Sequence, residues 1–280
     1  MTNARSVLNK KDELEYFVKQ NHIDIIGVTE TWATNMILDS ELSIENFSLY
    51  RHDRDKVRSA KGGGVLLYVN ELLSVLPDED LNSDECESLW LRLYTGKNKF
   101  TIIGICYKSP TASLDEVGKL FEQIKKASNF QSVILGDFNY PGINWETGEA
   151  KSLADQQFFE LINDCFLIQH VRTPTRGGNV LDLILTTEIN MIENLVVMDP
   201  LGKSDHNTLV FDLVTQTYIK NKIQSYIYHK GDYNSMRNAV MGIEWNELFK
   251  GKDANQCWEL FKNKILEVIE LYVPKSTRNK

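Results

Sequence analysis

Short apolar runs alternate with amphipathic stretches along residues 1–214, a pattern typical of an α/β protein. Alternation of apolar and other positions predicts a strand over 88–94, where Leu89, Leu91 and Leu93 share one face. Apolar runs predict further strands at 23–30, 65–69, 100–106, 133–135, 181–186, 195–198 and 208–214.

Three stretches carry the three- and four-residue spacing of helices. They are 10–20, with Leu14, Phe17 and Val18 on one face, 113–128, and 153–164, with Phe158, Phe159 and Ile162 turned inward. Ser113 and Glu116 form the pattern of a capping box, which marks a helix start.

Beyond residue 214 the chain becomes polar and aromatic, which predicts a domain over 1–214 and a helical connector over 215–280. An apolar stripe follows helical spacing within 255–273. Its members are Trp258, Phe261, Ile265, Val268 and Tyr272. The stripe is equally consistent with docking on a partner helix and with packing on its own domain.

Composition narrows the class of protein. A chain of 280 residues, 42% hydrophobic and 25% charged, can bury a full core. No stretch approaches the roughly 18 apolar residues of a membrane span, and the first residues lack the apolar core of a signal peptide. The four cysteines lie far apart and form no metal-binding spacing. We expect an intracellular protein with reduced thiols that does not associate with membranes.

The net charge of −8 argues against binding nucleic acid by broad electrostatics alone. Segment 51–61 nevertheless carries five Lys or Arg against two Asp, and three glycines follow at 62–64. Arg51, Arg54 and Arg58 are therefore candidate contacts with a nucleic-acid backbone. A solvated surface loop is an equally good interpretation.

Polar residues stand where apolar strands end. Asp137 and Asn139 follow the run 133–135 two positions apart, so period-two geometry puts both on one side of the chain. In isolation the pair is more consistent with a turn. Glu30 ends another apolar run, and an Asp-His pair occurs at 205–206. Carboxylates, amides and a histidine together suit phosphoryl-transfer chemistry.

Taken in order, several short motifs resemble the endonuclease/exonuclease/phosphatase superfamily, and more closely the apurinic-type endonuclease domain of LINE-type (non-LTR) retrotransposons. They are Asn3-Ala4-Arg5-Ser6, Glu30-Thr31-Trp32, Tyr107-Lys108-Ser109-Pro110, Gly136-Asp137-Phe138-Asn139, Leu181-Asp182-Leu183 and Ser204-Asp205-His206. The resemblance implies an α/β fold with a two-layer β-sandwich flanked by helices. It also implies a site at the edge where strand ends of both sheets converge. Members carry an apolar strand before the residue matching Asn3, so we expect this first strand to be missing.

The resemblance assigns the site residues. Glu30, Asp205 and Asn3 would serve the metal, Mg²⁺ or alternatively Mn²⁺, since a hard cation takes oxygen ligands. Asp137 would orient or deprotonate the attacking water, assisted by the amide of Asn139.

The same resemblance gives His206 the task of stabilising charge on the phosphate, with Asp182 as the carboxylate that pairs with the ring. Tyr107 would donate a hydrogen bond to the phosphate or the leaving oxygen. An aromatic residue that simply ends a core strand is the rival interpretation of Tyr107.

The leading hypothesis is a Mg²⁺-dependent endonuclease that nicks DNA, in the nucleus, so that a 3′ hydroxyl can prime reverse transcription. The partners would be DNA and a reverse transcriptase domain or partner helix reached through 255–273. An inactive, retrotransposon-derived remnant that binds DNA or protein is the alternative. A phosphatase of the same fold is a weaker third hypothesis.

Overall fold

The computed structural model describes residues 1–54, 62–96, 99–215 and 223–278. The chain divides into two compact units, Met1–Ile219 and Lys220–Lys280. The boundary predicted from the sequence lies between residues 214 and 215. No helix in the described ranges is long and apolar enough to cross a membrane.

The first unit is built from β-strands with four α-helices. The strands are β1 (Thr2–Asn3), β2 (Ile25–Thr29), β3 (Phe47–His52), β4 (Val65–Asn70), β5 (Val75–Pro77), β6 (Ser88–Gly96), β7 (Lys99–Tyr107), β8 (Ser132–Asp137), β9 (Ile143–Asn144), β10 (Glu149–Ala150), β11 (Ile168–Gln169), β12 (Asp182–Thr186), β13 (Ile192–Met198) and β14 (Thr208–Leu213). The helices are α1 (Lys11–Asn21), α2 (Asp39–Leu42), α3 (Leu114–Ala127) and α4 (Leu153–Asp164), with 3₁₀ turns at Leu8–Lys10 and Ile189–Met191.

Two sheets organise this unit. One has the strand order β1-β2-β4-β3, and the other has the order β11-β12-β8-β7-β6-β5. Strands β1 and β2 are parallel, as are β7 and β8, and the other pairs in the two sheets are antiparallel. The short strands β9 and β10 form a hairpin, and so do β13 and β14.

The core has three layers, which explains why so many strands are apolar on both faces. One cluster of buried side chains lies between the sheets, a second lies where α3 and α4 cover the six-stranded sheet, and a third lies where α1 covers the four-stranded sheet. Trp90 illustrates the packing, because its ring fills the space left by Gly104, where a Cβ would come within 2.3 Å of it. The predicted α/β sandwich flanked by helices is confirmed.

Helix boundaries agree closely with the periodicity. Ser113 caps α3, and its side chain accepts from the backbone N–H of Glu116, while the Glu116 carboxylate accepts from the backbone N–H of Ser113. Two predictions about strands were wrong. Arg51 and His52 belong to β3 rather than to a loop. The first strand is not missing but is two residues long, formed by Thr2 and Asn3 itself.

A cavity of about 560 Å³ lies beyond the first residue of β1. The backbone of Met1 pairs with Leu209, donating from its amino group (2.7 Å) and accepting from the Leu209 amide (2.8 Å). Past that point, no described strand lies between the first half of β2 and β14. Apolar side chains of both sheets, among them Leu93 and Leu135, line the space together with Phe211 of β14.

The second unit contains β15 (Ile223–Tyr226), a 3₁₀ turn (Tyr228–Lys230), α5 (Tyr233–Met241), α6 (Trp245–Phe249), α7 (Ala254–Tyr272) and β16 (Lys275–Arg278). Strands β15 and β16 are antiparallel. The predicted stripe of α7 is only partly covered. Val268 is buried, but Trp258 is 59% exposed and stacks on Phe261 with ring centroids 6.0 Å apart.

Candidate active site

Sheet register places three predicted residues in one row. Asp137 is the last residue of β8, and it is directly opposite Tyr107 of β7 on one side and Asp182 of β12 on the other. Gly136 makes this close approach possible, because a Cβ there would come within 2.2 Å of the carbonyl oxygen of Cys106. Gly136 therefore supplies space inside a strand, and not the freed backbone of a turn.

Asn3 joins the two sheets at this point. It ends β1, and its side-chain amide donates to Oδ2 of Asp137 at 2.8 Å. Its own Oδ1 accepts from the backbone N–H of Arg5, and its carbonyl accepts from Ser204 Oγ at 2.6 Å. Asn3 is fully buried, so its orientation is fixed by three separate contacts.

His206 completes a buried polar cluster. Its Nδ1 lies 2.7 Å from Oδ2 of Asp182, and its Nε2 lies 3.9 Å from Oδ2 of Asp137. Asp137, Asp182 and His206 are each no more than 1% exposed. Burial opposes a charged ring, yet the hydrogen bond and charge of Asp182 raise the pKa of His206 above its usual value. The imidazole is thus held ready to carry a positive charge beside Asp137.

Asp137 has the most perturbed carboxyl of the cluster. Burial, and then the charge of Asp182, raise its pKa from 3.8 to about 7, while His206 and the amide of Asn3 act in the opposite direction. A carboxylate with a pKa near neutrality can accept a proton from water and release it again. Such perturbation in a cluster of polar groups is a recognised sign of a functional site.

Glu30 stands at the rim of the cluster on a strained loop. Its φ is +49° and that of Trp32 is +53°, both in the left-handed region that these residue types seldom adopt. Its carboxylate accepts from the Tyr107 hydroxyl (2.8 Å) and from the indole N–H of Trp32 (3.1 Å). Tyr107 therefore orients Glu30, and burial followed by the Glu30 charge raises the Tyr107 pKa far above its usual value.

The glycine triplet supports this loop. The backbone amides of Thr31 and Trp32 donate to the carbonyls of Gly64 and Gly63. Each glycine of 62–64 has a positive φ, and a Cβ on Gly64 would come within 2.4 Å of Thr31 Oγ1. The triplet therefore fixes the loop that carries Glu30, a role that spacing in the sequence did not reveal.

Asn139 contacts Asp137 through its backbone and not through its side chain. Its backbone N–H donates to Oδ1 of Asp137 at 3.2 Å, and its side-chain amide donates to the carbonyl of Lys108 at 3.0 Å. Its φ of +51° turns the chain out of β8. The turn and the site are thus the same structure, and the two interpretations of this motif do not exclude each other.

Asp205 lies apart from the cluster. Its Oδ1 is 3.0 Å from Nη1 of Arg5, and its Oδ2 accepts from Nε and Nη2 of Arg176 at 2.8 and 2.7 Å. Although partial burial acts the other way, these arginines hold the pKa of Asp205 below its usual value. The structure pairs Asp205 with cations, and this geometry does not place it among the metal ligands.

The arginines predicted to contact a nucleic-acid backbone are bound to other groups of the chain instead. Arg51 is 14% exposed, and its guanidinium donates to the carbonyls of Thr34 and Ile37 and to the carboxylates of Asp39 and Asp53. Arg54 is 11% exposed and donates to Glu87 at 2.7 Å. Neither side chain is presented to a ligand, which argues against a direct grip on DNA. Arg58 lies outside the described residues.

The donor set fits a hard divalent cation. Among the described residues, ligand atoms of Asp137, Asp182 and His206 lie within 4.8 Å of one another. Oδ1 of Asp182 is buried without a hydrogen-bond donor, so an acceptor is available there. The charge of Glu30 also acts on Asp137. Oxygen ligands of this kind suit Mg²⁺ or Mn²⁺.

Comparison with known proteins gives a family match for part of the chain. Residues 101–210 match the model of a family described as endonuclease-reverse transcriptase. Comparison with curated proteins gives no match.

Solved structures share the fold at low sequence identity. The endonuclease domain of TRAS1, a telomere-specific non-LTR retrotransposon, has 16% identity and a TM-score of 0.58 over 76% of this chain and 95% of that one. An AP endonuclease from Archaeoglobus fulgidus has 14% identity and a TM-score of 0.53 over 76% and 98%. A Neisseria 3′ phosphatase bound to a product DNA hairpin has 16% identity and a TM-score of 0.57 over 75% and 96%. The family match and this likeness confirm the resemblance drawn from the motifs.

Proposed function

Starting from the match of residues 101–210 to the endonuclease-reverse transcriptase family, we propose that the protein is a Mg²⁺-dependent endonuclease that nicks DNA. The single observation that carries the proposal is the buried network that connects Asn3, Asp137, His206 and Asp182 across both sheets. Burying two carboxylates side by side is costly for folding, so their retention points to chemistry.

Asp137 is the base in this proposal. Its pKa of about 7 lets it take a proton from the attacking water, and the Asn3 amide keeps its Oδ2 in position. His206, charged through Asp182, faces the negative charge that develops on the phosphate oxygens.

Glu30 would hold the cation, with the amide oxygen of Asn3 nearby. Tyr107 and Trp32 fix both oxygens of Glu30, so this ligand is preorganised. A bound divalent cation would neutralise charge on the phosphoryl oxygens. Mn²⁺ is expected to substitute for Mg²⁺, because both take oxygen ligands in octahedral geometry.

A plasmid assay tests the proposal. Purified protein is expected to convert supercoiled plasmid to nicked circles with Mg²⁺ and to stop when EDTA is added. His206→Ala is expected to lower the nicking rate at least about a hundredfold, the usual cost of a lost transition-state donor. The matched control is His170→Ala, a half-buried histidine that bonds Thr186 at the other end of β12 and is expected to keep the rate.

Two outcomes would contradict the proposal. One is nicking that persists in EDTA or in the His206 variant. The other is hydrolysis of phosphate monoesters without any nicking of plasmid, which would favour a phosphatase of the same fold.

We infer that residues 215–280 form a connector toward a reverse transcriptase domain. Two observations support this: the compact unit that starts at Lys220, and the exposed ring of Trp258 on α7. We expect the full chain to pull down a separately expressed reverse transcriptase domain. Trp258→Ala should weaken this capture. Equal capture by the wild type and by the Trp258→Ala variant would contradict this role for α7.

A further inference from the structure

We propose that Arg5 and Arg176, bridged by Asp205, form a phosphate clamp for the DNA strand that enters the candidate active site. This inference deepens the proposed function, on which it rests for the position of the reacting phosphate. The clamp is defined here as these three residues.

The clamp lies beside the buried cluster. Arg5 is two residues beyond Asn3, and its backbone N–H donates to the Asn3 side chain. Asp205 immediately precedes His206, and the charge of Arg176 acts on the His206 ring. A phosphate group held by the two arginines would therefore lie next to the phosphate group that reaches Asp137.

The two guanidinium groups are available to a ligand. Their side chains are 43% and 41% exposed, in contrast to Arg51 and Arg54. A guanidinium has five N–H donors, and Asp205 engages only part of each set. Bidentate recognition of phosphate is the usual task of such a group.

Charge favours an anionic ligand at this place. Two arginines and one aspartate leave a positive remainder, although the whole chain carries −8. Lys10 adds to it, because its ammonium donates to the carbonyls of Ala4 and Arg5. The carboxylates of the cluster repel a phosphate strand, so a local cationic contact favours binding.

Both arginines are held on rigid backbone. Arg5 has a φ of +43° and Ser6 has +83°, and the Ser6 amide donates to the carbonyl of Glu30. Arg176 pairs with Asn179 at the base of a tight turn. The buried Thr175 anchors that turn by accepting from the amides of Leu181 and Asp182. Preorganisation of this kind lowers the entropic cost of binding.

The test measures binding of a fluorescent DNA duplex by the full chain in EDTA, so that no cleavage is required. Arg5→Ala and Arg176→Ala are each expected to raise Kd about tenfold, the usual cost of a lost hydrogen bond to a charged group. The slope of log K against log salt is expected to fall by about 0.9 for each lost phosphate contact. The matched control, Lys125→Ala, removes one exposed charge at the end of α3 and should change neither quantity.

Asp205→Asn separates the clamp from two rival roles. If Asp205 only bridges the arginines, the variant frees both for phosphate, and DNA binds more tightly than before. If Asp205 is a metal ligand, binding in EDTA stays unchanged while kcat falls and the Mg²⁺ requirement rises. A purely structural ion pair would lower Tm in all three variants without changing the salt slope.

Kinetics give a second measurement. In the nicking assay the arginine variants are expected to raise KM more than they lower kcat, because the clamp positions the strand and takes no part in bond cleavage. Unchanged Kd and salt slope in the double variant would overturn the clamp even if the wild type nicks plasmid. A wild type that never nicks, but loses DNA affinity in the arginine variants, would overturn the endonuclease and leave the clamp standing.

Discussion

The two ends of strand β1 meet opposite surroundings. Asn3 enters a polar cluster in which it makes three hydrogen bonds, whereas Met1 borders a cavity of about 560 Å³. The polar end is electrostatically costly, and the apolar end packs in the core but borders unfilled space. The candidate active site therefore lies where the buried charges lower stability. Filling the cavity could raise stability without affecting the active site.

The largest expected effect lies at the apolar end. Burial lowers the pKa of the Met1 amino group from 8.0 to about 5, outweighing the opposing charge of Asp182. Between pH 5 and 8 the unfolded chain then holds a proton that the folded chain lacks, so stability rises with pH across this window. A segment placed before Met1, with apolar residues at alternate positions, should increase the free energy of unfolding by about 4 kcal/mol at pH 5 and by about 1 kcal/mol at pH 7 from loss of this charge alone.

N-terminal acetylation is the control for this change, because it removes the charge without filling the cavity. Denaturant unfolding at pH 5 and pH 8 measures the free energy of unfolding of the extended protein and of the acetylated protein. The extended protein should exceed the acetylated one at every pH. Equal stability of the two would show that the segment does not enter the cavity.

The second effect concerns the polar end. Asp182→Asn should lower the nicking rate about a hundredfold, because the charge that sustains the His206 imidazolium is lost. Loss of the same charge lowers the pKa of Asp137, so the acid limb of the residual pH–rate profile should move to lower pH. The free energy of unfolding should change by less than about 1 kcal/mol, since an amide oxygen still accepts from the ring.

Asp155→Asn provides the matched control at another buried aspartate. Asp155 accepts from Ser152 in the capping box of α4 and takes no part in the cluster. This variant should keep the nicking rate and change the free energy of unfolding by less than about 1 kcal/mol, since its amide oxygen can still accept from Ser152. Full activity in Asp182→Asn would refute the role given to the cluster.

The smallest effect compares two neighbours on β8 that face opposite sides. Ile134 packs against the helices, whereas Leu135 lines the cavity. Ile134→Ala should cost about 2–5 kcal/mol, and Leu135→Ala about 1 kcal/mol less, because a side chain at a cavity has fewer packing contacts to lose. Thermal unfolding of the two variants checks this difference. An equal loss in both would mean that the cavity closes in solution.

Local patterns in the sequence were enough for most elements of the first unit. Apolar spacing and the Ser113–Glu116 capping box placed α3 within a residue of its observed bounds, because a helix is stabilised by contacts three and four positions apart. Short edge strands such as β5 and β11 were missed, since two or three residues carry no periodic signal. The motifs also named every member of the buried cluster.

Only the tertiary structure decided how these residues act together. Asp205 and His206 are adjacent in sequence, yet one joins two arginines and the other joins Asp182, because backbone direction separates their side chains. Arg54 was predicted to be a cation available to DNA, but it forms an ion pair with Glu87, which lies 33 positions away. Periodicity in the sequence indicated an α/β protein, and the resemblance of the ordered motifs to a known family implied the sandwich and the residues of the cluster. The partner of each charge and the cavity beside Met1 depend on long-range packing, which local pattern does not encode.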